Sequence, residues 1–137
     1  MGTRSLTIVK DEGDTLMVMY RQMDGYPGGH GAELAEFLRG MHIVNGISLA
    51  EERRIANGMG CLAAQIVARF KDGPGGIYIE NPNRAIGSGW EEYVYFVGQK
   101  GDRPEISCCE VEPGGLRVLS KGTPEEFLEW VGSRKRE

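Results

Sequence analysis

Ser5-Leu6-Thr7-Ile8-Val9-Lys10-Asp11-Glu12-Gly13-Asp14-Thr15-Leu16-Met17-Val18-Met19-Tyr20-Arg21-Gln22 is the stretch on which the fold class turns. Leu6 to Val9 reads as a short strand, and Asp11-Glu12-Gly13-Asp14 as a turn. Leu16 to Gln22 reads as a second strand, so residues 5–22 form a hairpin. Alternate residues of a strand share a face. Leu16, Val18, Tyr20 and Gln22 share one face; Met17, Met19 and Arg21 share the other. Both faces are apolar over most of their length. Such a strand lies inside a sheet and is covered, at least in part, on both sides.

Downstream, Asp24-Gly25-Tyr26-Pro27-Gly28-Gly29-His30-Gly31 is the densest glycine run and reads as irregular. It empties into Ala32 to Met41, where Leu34, Leu38 and Met41 lie at helical spacing and Gly40 marks the end. Ser48-Leu49-Ala50-Glu51 has the form of a capping box, with Ser48 as N-cap and Glu51 at N3. Ile55, Met59, Leu62, Ile66 and Phe70 then step by four, three, four and four, the spacing of a buried helical stripe. Gly58 and Gly60 interrupt it, each costing about 1 kcal/mol against Ala in a helix. A break or kink near Asn57, followed by a buried helix from Gly60 to Phe70, is therefore expected. Asp72-Gly73-Pro74-Gly75-Gly76 closes the helical region.

Four more strands follow: Ile77 to Glu80, Trp90 to Val97, Glu105 to Val111 and Leu116 to Leu119. The second of these is rich in aromatic and β-branched residues. Between the first two, Asn81 to Gly89 reads as a polar, flexible loop. Thr123-Pro124-Glu125-Glu126 opens a last helix, with Thr as N-cap, Pro at N1 and Glu at N3. Phe127, Leu128 and Val131 form its inner face. The order ββ-αα-ββββ-α predicts one α+β domain over 1–137. Its mainly antiparallel sheet of about five to six strands packs with two to three helices.

Composition removes several classes. Of 137 residues, 21 are glycine, where average usage of about 7% gives roughly ten. The glycines have no triplet period, which excludes collagen. At 40% hydrophobic, the chain is too apolar to be disordered. A formal charge of −4 argues against a duplex-binding surface, which needs a basic stripe. Arg134-Lys135-Arg136 complements a helix C-terminus instead. No stretch approaches the roughly 18 apolar residues of a membrane span, and Lys10 comes too early for a signal peptide. Three cysteines, two of them the neighbours Cys108 and Cys109, fit a reduced, cytoplasmic protein.

The glycine loop carries the candidate chemistry. One reading is a complex turn that needs positive φ at several glycines. The other is a ligand loop at a helix N-terminus, where backbone N–H groups suit an anion. The pattern is neither G-x-G-x-x-G nor a P-loop, and Glu33 already places negative charge at the helix start. Arg21, Gln22, Asp24, Tyr26 and His30 surround the loop with more polar variety than a turn requires. With Gly28, Gly29, Asn57 and Arg84, they form the candidate ligand-binding set. Arg84 has the fork geometry to clamp an anion. For catalysis the candidates are His30 as a base near neutrality, Asp24, and Cys61, whose thiol would be activated at a helix start. His42 reads as a helix-end residue. Glu91 and Glu92 face opposite sides of a strand and cannot flank one bond. No zinc spacing is present, and no cofactor or metal is implied.

The blocks Gly2-Thr3-Arg4, Asp24 to Gly31, Asn57-Gly58-Met59-Gly60-Cys61 and Glu91-Glu92-Tyr93-Val94-Tyr95 resemble a family of small uncharacterised proteins predicted in bacterial and bacteriophage genomes. The resemblance covers nearly the whole chain. It implies a prokaryotic or viral cytosolic setting and nothing about catalysis. By analogy it points to an accessory or host-interaction protein, for example one that counters a host defence.

Two functions are therefore expected in competition. The first is a non-enzymatic binding or inhibitory protein, of open oligomeric state with a homodimer among the options, that takes a small polar or anionic ligand or a host protein. The second is a small hydrolase or transferase working through His30, Asp24, Tyr26 and Cys61. Convergence of Asp24, His30, Cys61 and a carboxylate from 91–92 in one pocket would favour the second.

Overall fold

The computed structural model describes residues 2–134. The opening stretch forms the expected hairpin, β1 (Ser5–Asp11) and β2 (Asp14–Arg21), in antiparallel register with Ile8 opposite Val18. Glu12 and Gly13 make the turn at φ 50° and 88°, the left-handed pair that suits a tight hairpin. Next come a π-helical turn over Pro27–Gly31, α1 (Ala32–Leu38), β3 (His42–Val44), β4 (Ile55–Asn57) and α2 (Gly58–Phe70). β5 (Ile77–Glu80), β6 (Tyr93–Lys100), β7 (Arg103–Glu112), β8 (Gly115–Gly122) and α3 (Pro124–Ser133) complete the order.

The architecture is α+β. Six strands form one sheet in the order β5-β2-β1-β6-β7-β8, and β3 and β4 pair in a small parallel sheet of their own. Every neighbour in the large sheet is antiparallel except β1 and β6, which run parallel with Ser5 opposite Tyr93. β1 and β2 are thus interior strands, as the two-sided apolar pattern of β2 requires. One face of the sheet carries Val9, Met17, Met19, Tyr95, Val97 and Cys108, all buried under the helices. The other face carries Leu6, Ile8, Val18 and Val94, packed with Tyr20, Phe96 and Val111. The 81–90 loop lies on that second side, where Tyr20 Oη donates to Gly89 O at 3.5 Å.

Several expectations are corrected. Residues 27–31 are a π-helical turn, running directly into α1. α1 ends at Leu38, because Arg39 is already extended and Gly40 adopts φ 79°. Ser48 does not cap a helix. Its Oγ accepts from Ala50 N, Glu51 turns to Arg53, and the residues between β3 and β4 are irregular. Ile55 therefore sits in β4, and α2 starts at Gly58, whose φ of 83° makes the corner from strand to helix. Trp90 to Glu92 precede β6 rather than opening it. α3 begins as expected: Glu126 N donates to Thr123 Oγ1 at 3.0 Å, and Thr123 N to Glu126 Oε1 at 2.8 Å.

Candidate functional site

The glycine loop is a packed part of the molecule. None of Gly25, Gly28, Gly29 or Gly31 has positive φ; the left-handed residue there is Asp24, at φ 61°. The glycines serve close approach instead. A Cβ on Gly25 would lie 2.7 Å from Ser5 Cβ, one on Gly29 2.5 Å from Asp24 O, and one on Gly31 2.8 Å from the Phe127 ring. Many loop amides are already spent: Gly25 N on Thr3 O, Gly29 N and Gly31 N on Tyr26 O, and His30 N on Asp24 O. Tyr95 Oη donates to Gly25 O at 2.7 Å and ties the loop to the sheet.

This packing drives His30 inward. Its side chain is fully buried, against the rings of Phe70 and Tyr95 at 4.7 and 5.4 Å between centroids. Nδ1 lies 2.9 Å from Arg21 Nη1, and Nε2 lies 2.7 Å from Thr7 Oγ1. Arginine has only donors, so Nδ1 must be the bare, accepting nitrogen. The proton then sits on Nε2 and is donated to the Thr7 hydroxyl. Burial first, then the charges of Arg21 and Arg69, push the His30 pKa from 6.5 down to about 3. A neutral imidazole with both nitrogens engaged is a support for Arg21 and a poor base near neutrality.

Arg21 is held from three sides. Nε donates to Met23 O at 2.7 Å, and Nη1 donates to His30 and, at 2.8 Å, to Glu33 Oε1. The guanidinium forms part of the wall of an open recess of about 310 Å³. Glu33, Arg69, Phe70, Asp72 and the Gly75-Gly76 backbone line the rest. Arg69 and Arg21 both lie over the Phe70 ring, at 5.0 and 5.9 Å from its centroid, within cation–π range.

The structure thus gathers Arg21 and His30, keeps Gln22 beside the recess with its amide on Gly76 O at 2.9 Å, and places Asn57, Cys61 and Arg84 elsewhere. Gln22, Asp24, Tyr26 and Gly28 are exposed, and Gly29 is half-buried. Asn57 Oδ1 accepts from Gly46 N at 2.8 Å, at the far end of β4. Cys61 lies within α2, with its thiol on Gln65 Oε1 at 3.5 Å, and Gln65 in turn donates to Ile55 O. Arg84 belongs to the 81–90 loop across the sheet. It binds Glu80 at 2.8 Å and grips Glu91 with both terminal nitrogens at 2.9 and 3.1 Å. Burial alone would raise the Glu91 carboxyl, but Arg84 and the Gly87 amide outweigh it and hold it below the usual range. Asp24, His30, Cys61 and Glu91 do not converge on one recess. Among the described residues, no group of three His, Cys, Asp or Glu side chains is placed to hold a metal ion, and no helix is long and apolar enough to cross a membrane.

Sequence reasoning missed Thr7, Arg69, Phe70 and Asp72 as site residues. Phe70 closes the α2 stripe and reads there as core. The available signal was adjacency: a charged Arg69 beside the last apolar step, then Asp72 and a glycine turn. Compared with known proteins, the chain matches no family model, no curated protein and no solved structure.

Proposed function

We propose that this is a non-enzymatic binding protein that holds a small polar ligand in the recess beside the 24–31 loop. The observation that carries the reading is the chain Thr7–His30–Arg21, buried at Thr7 and His30 and reaching the recess at Arg21. A core needs no histidine to orient a guanidinium. Here a buried imidazole fixes Arg21 at the wall of an open recess, which is the preorganisation that a binding site uses to limit ordering cost. The recess volume lies at the lower end of the roughly 300–1,000 Å³ of small-molecule sites. The hydrolase or transferase reading draws less support, since His30 is neutral and engaged on both nitrogens and Cys61 is bonded elsewhere. The finer reading, an accessory protein acting in a bacterial or infected cell, rests on the resemblance alone.

Amide NMR of the labelled protein against a library of small polar metabolites tests this reading. A ligand is expected to move the amides of Arg21, His30, Phe70 and Gly76 saturably. It should also raise stability, by about 2.7 kcal/mol at about 100 times its Kd. A library that moves none of these amides defeats the reading.

A further inference from the structure

We infer that the ligand of this recess is a zwitterion, with a carboxylate and an ammonium group a few bonds apart, as in a free amino acid. The inference rests on the small-ligand reading above and follows from which charges of the recess are already spent. Arg21 uses Nε on Met23 O and Nη1 on His30 and Glu33, while Nη2 has no partner among the described residues. Arg69 has no hydrogen bond or ion pair among them; its described contact is the face of Phe70. Glu33 is consumed by Arg21. Asp72 has no cation within ion-pairing distance among the described residues. Two guanidiniums with unspent N–H groups and one unspent carboxylate therefore line a single recess.

Those groups dictate the complement. Guanidinium N–H forks recognise a planar carboxylate. The acceptor-only oxygens of Asp72 recognise an ammonium. Arg21, Arg69, Glu33 and Asp72 carry formal charges that cancel, so the recess as a whole attracts neither an anion nor a cation strongly. A ligand of one sign satisfies one side and sets its charge against the other. A ligand with both signs satisfies both sides.

The test is calorimetric and NMR titration of the full chain with three sets of probes. These are the common L-amino acids, the matching carboxylic acids without the amine, and the matching amines without the carboxylate. At least one amino acid is expected to saturate the recess, with both single-charge analogues at least about tenfold weaker, the value of one lost charge-assisted hydrogen bond. Asp72→Asn should weaken the amino acid about tenfold and leave its deamino analogue bound no more weakly than before, since a like charge is removed, whereas Arg69→Gln should weaken both. Both side chains are on the surface, and thermal melts establish that the variants fold. Equal binding of the deamino acid, or an amino acid indifferent to Asp72→Asn, overturns the zwitterion but leaves a small-ligand site standing. Silence from every compound overturns both readings.

Discussion

His30 ties proton chemistry to stability. In the unfolded chain the imidazole takes its proton near 6.5, and in the folded chain only near 3. Above 6.5 both states are neutral and the residue imposes no penalty. As pH falls from 6.5 toward 3, the unfolded chain alone binds the proton, so stability drops, by at most about 1.4 kcal/mol per pH unit. Below 3 both states are protonated and the loss levels off. Urea midpoints across this window should fall with acid in the native protein. They should fall less steeply in His30→Asn, which starts about 1–3 kcal/mol less stable because Thr7 and Arg21 lose their shared partner. An unchanged slope would place the acid response elsewhere.

Glycine effects at the same scale have opposite signs. Gly29→Ala sets a methyl 2.5 Å from the Asp24 carbonyl and should cost about 1–3 kcal/mol. Gly60→Ala meets nothing within 4 Å and lies in the first turn of α2, so it should gain about 0.5 kcal/mol. Thermal melts of the two variants decide whether the glycine loop is packed as described. Trp90 is mostly exposed, yet its backbone sits at φ 67°, a conformation that costs a bulky residue about 1 kcal/mol or more. Trp90→Gly should therefore raise the melting temperature slightly, and a fall would show that the indole contributes more than its exposure suggests.

Among the elements, those legible in the sequence were the ones whose local chemistry and tertiary setting agree. α3 carries its own start signal in Thr123, Pro124 and Glu126, and Phe127 then enters the core. The Ser48-Glu51 pattern has the same local form but no helix behind it, because Arg53 captures Glu51 and the next apolar residues pair as strands. β3 and β4 have three residues each, too few to show an alternation. Arg84 was legible as a clamp, but its anion is the protein's own Glu91, whose burial depends on a loop that the sequence presents only as polar. That loop gives an element-scale prediction. The Glu91 side chain is fully buried between Arg84 and the Gly87 and Gly89 amides. Glu91→Ala should cost about 3 kcal/mol by taking from Arg84 its buried partner and leaving it only Glu80 as a carboxylate partner. Hydrogen exchange should quicken in 81–90 while α2 stays protected; equal quickening in α2 would mean that the loop is not a separate unit.

At the scale of the molecule, the strands of the large sheet could be read one by one, but not their order. Hairpin pairings follow from adjacency in the chain, and β1–β2, β6–β7 and β7–β8 obey it. The β1–β6 junction does not, because α1, α2 and the four strands β2 to β5 intervene. The recess was hidden for the same reason: Arg21 and Arg69 meet only when α2 crosses the sheet and returns through the 72–76 turn. The loop glycines therefore mark tight packing behind the recess, not the recess itself.

That junction has a consequence for biosynthesis. When β1, β2, α1 and α2 have been synthesised, Tyr93–Val97 have yet to be made. At roughly 5–20 residues per second, β1 waits several seconds for its parallel neighbour. Throughout that time the interior strand of the finished protein is an open edge, with its amides unpaired and Leu6 and Ile8 uncovered on one side. An edge of that kind templates pairing with other chains, so the nascent half-sheet is the natural point of chaperone engagement and the stage at which crowded synthesis loses protein to aggregation.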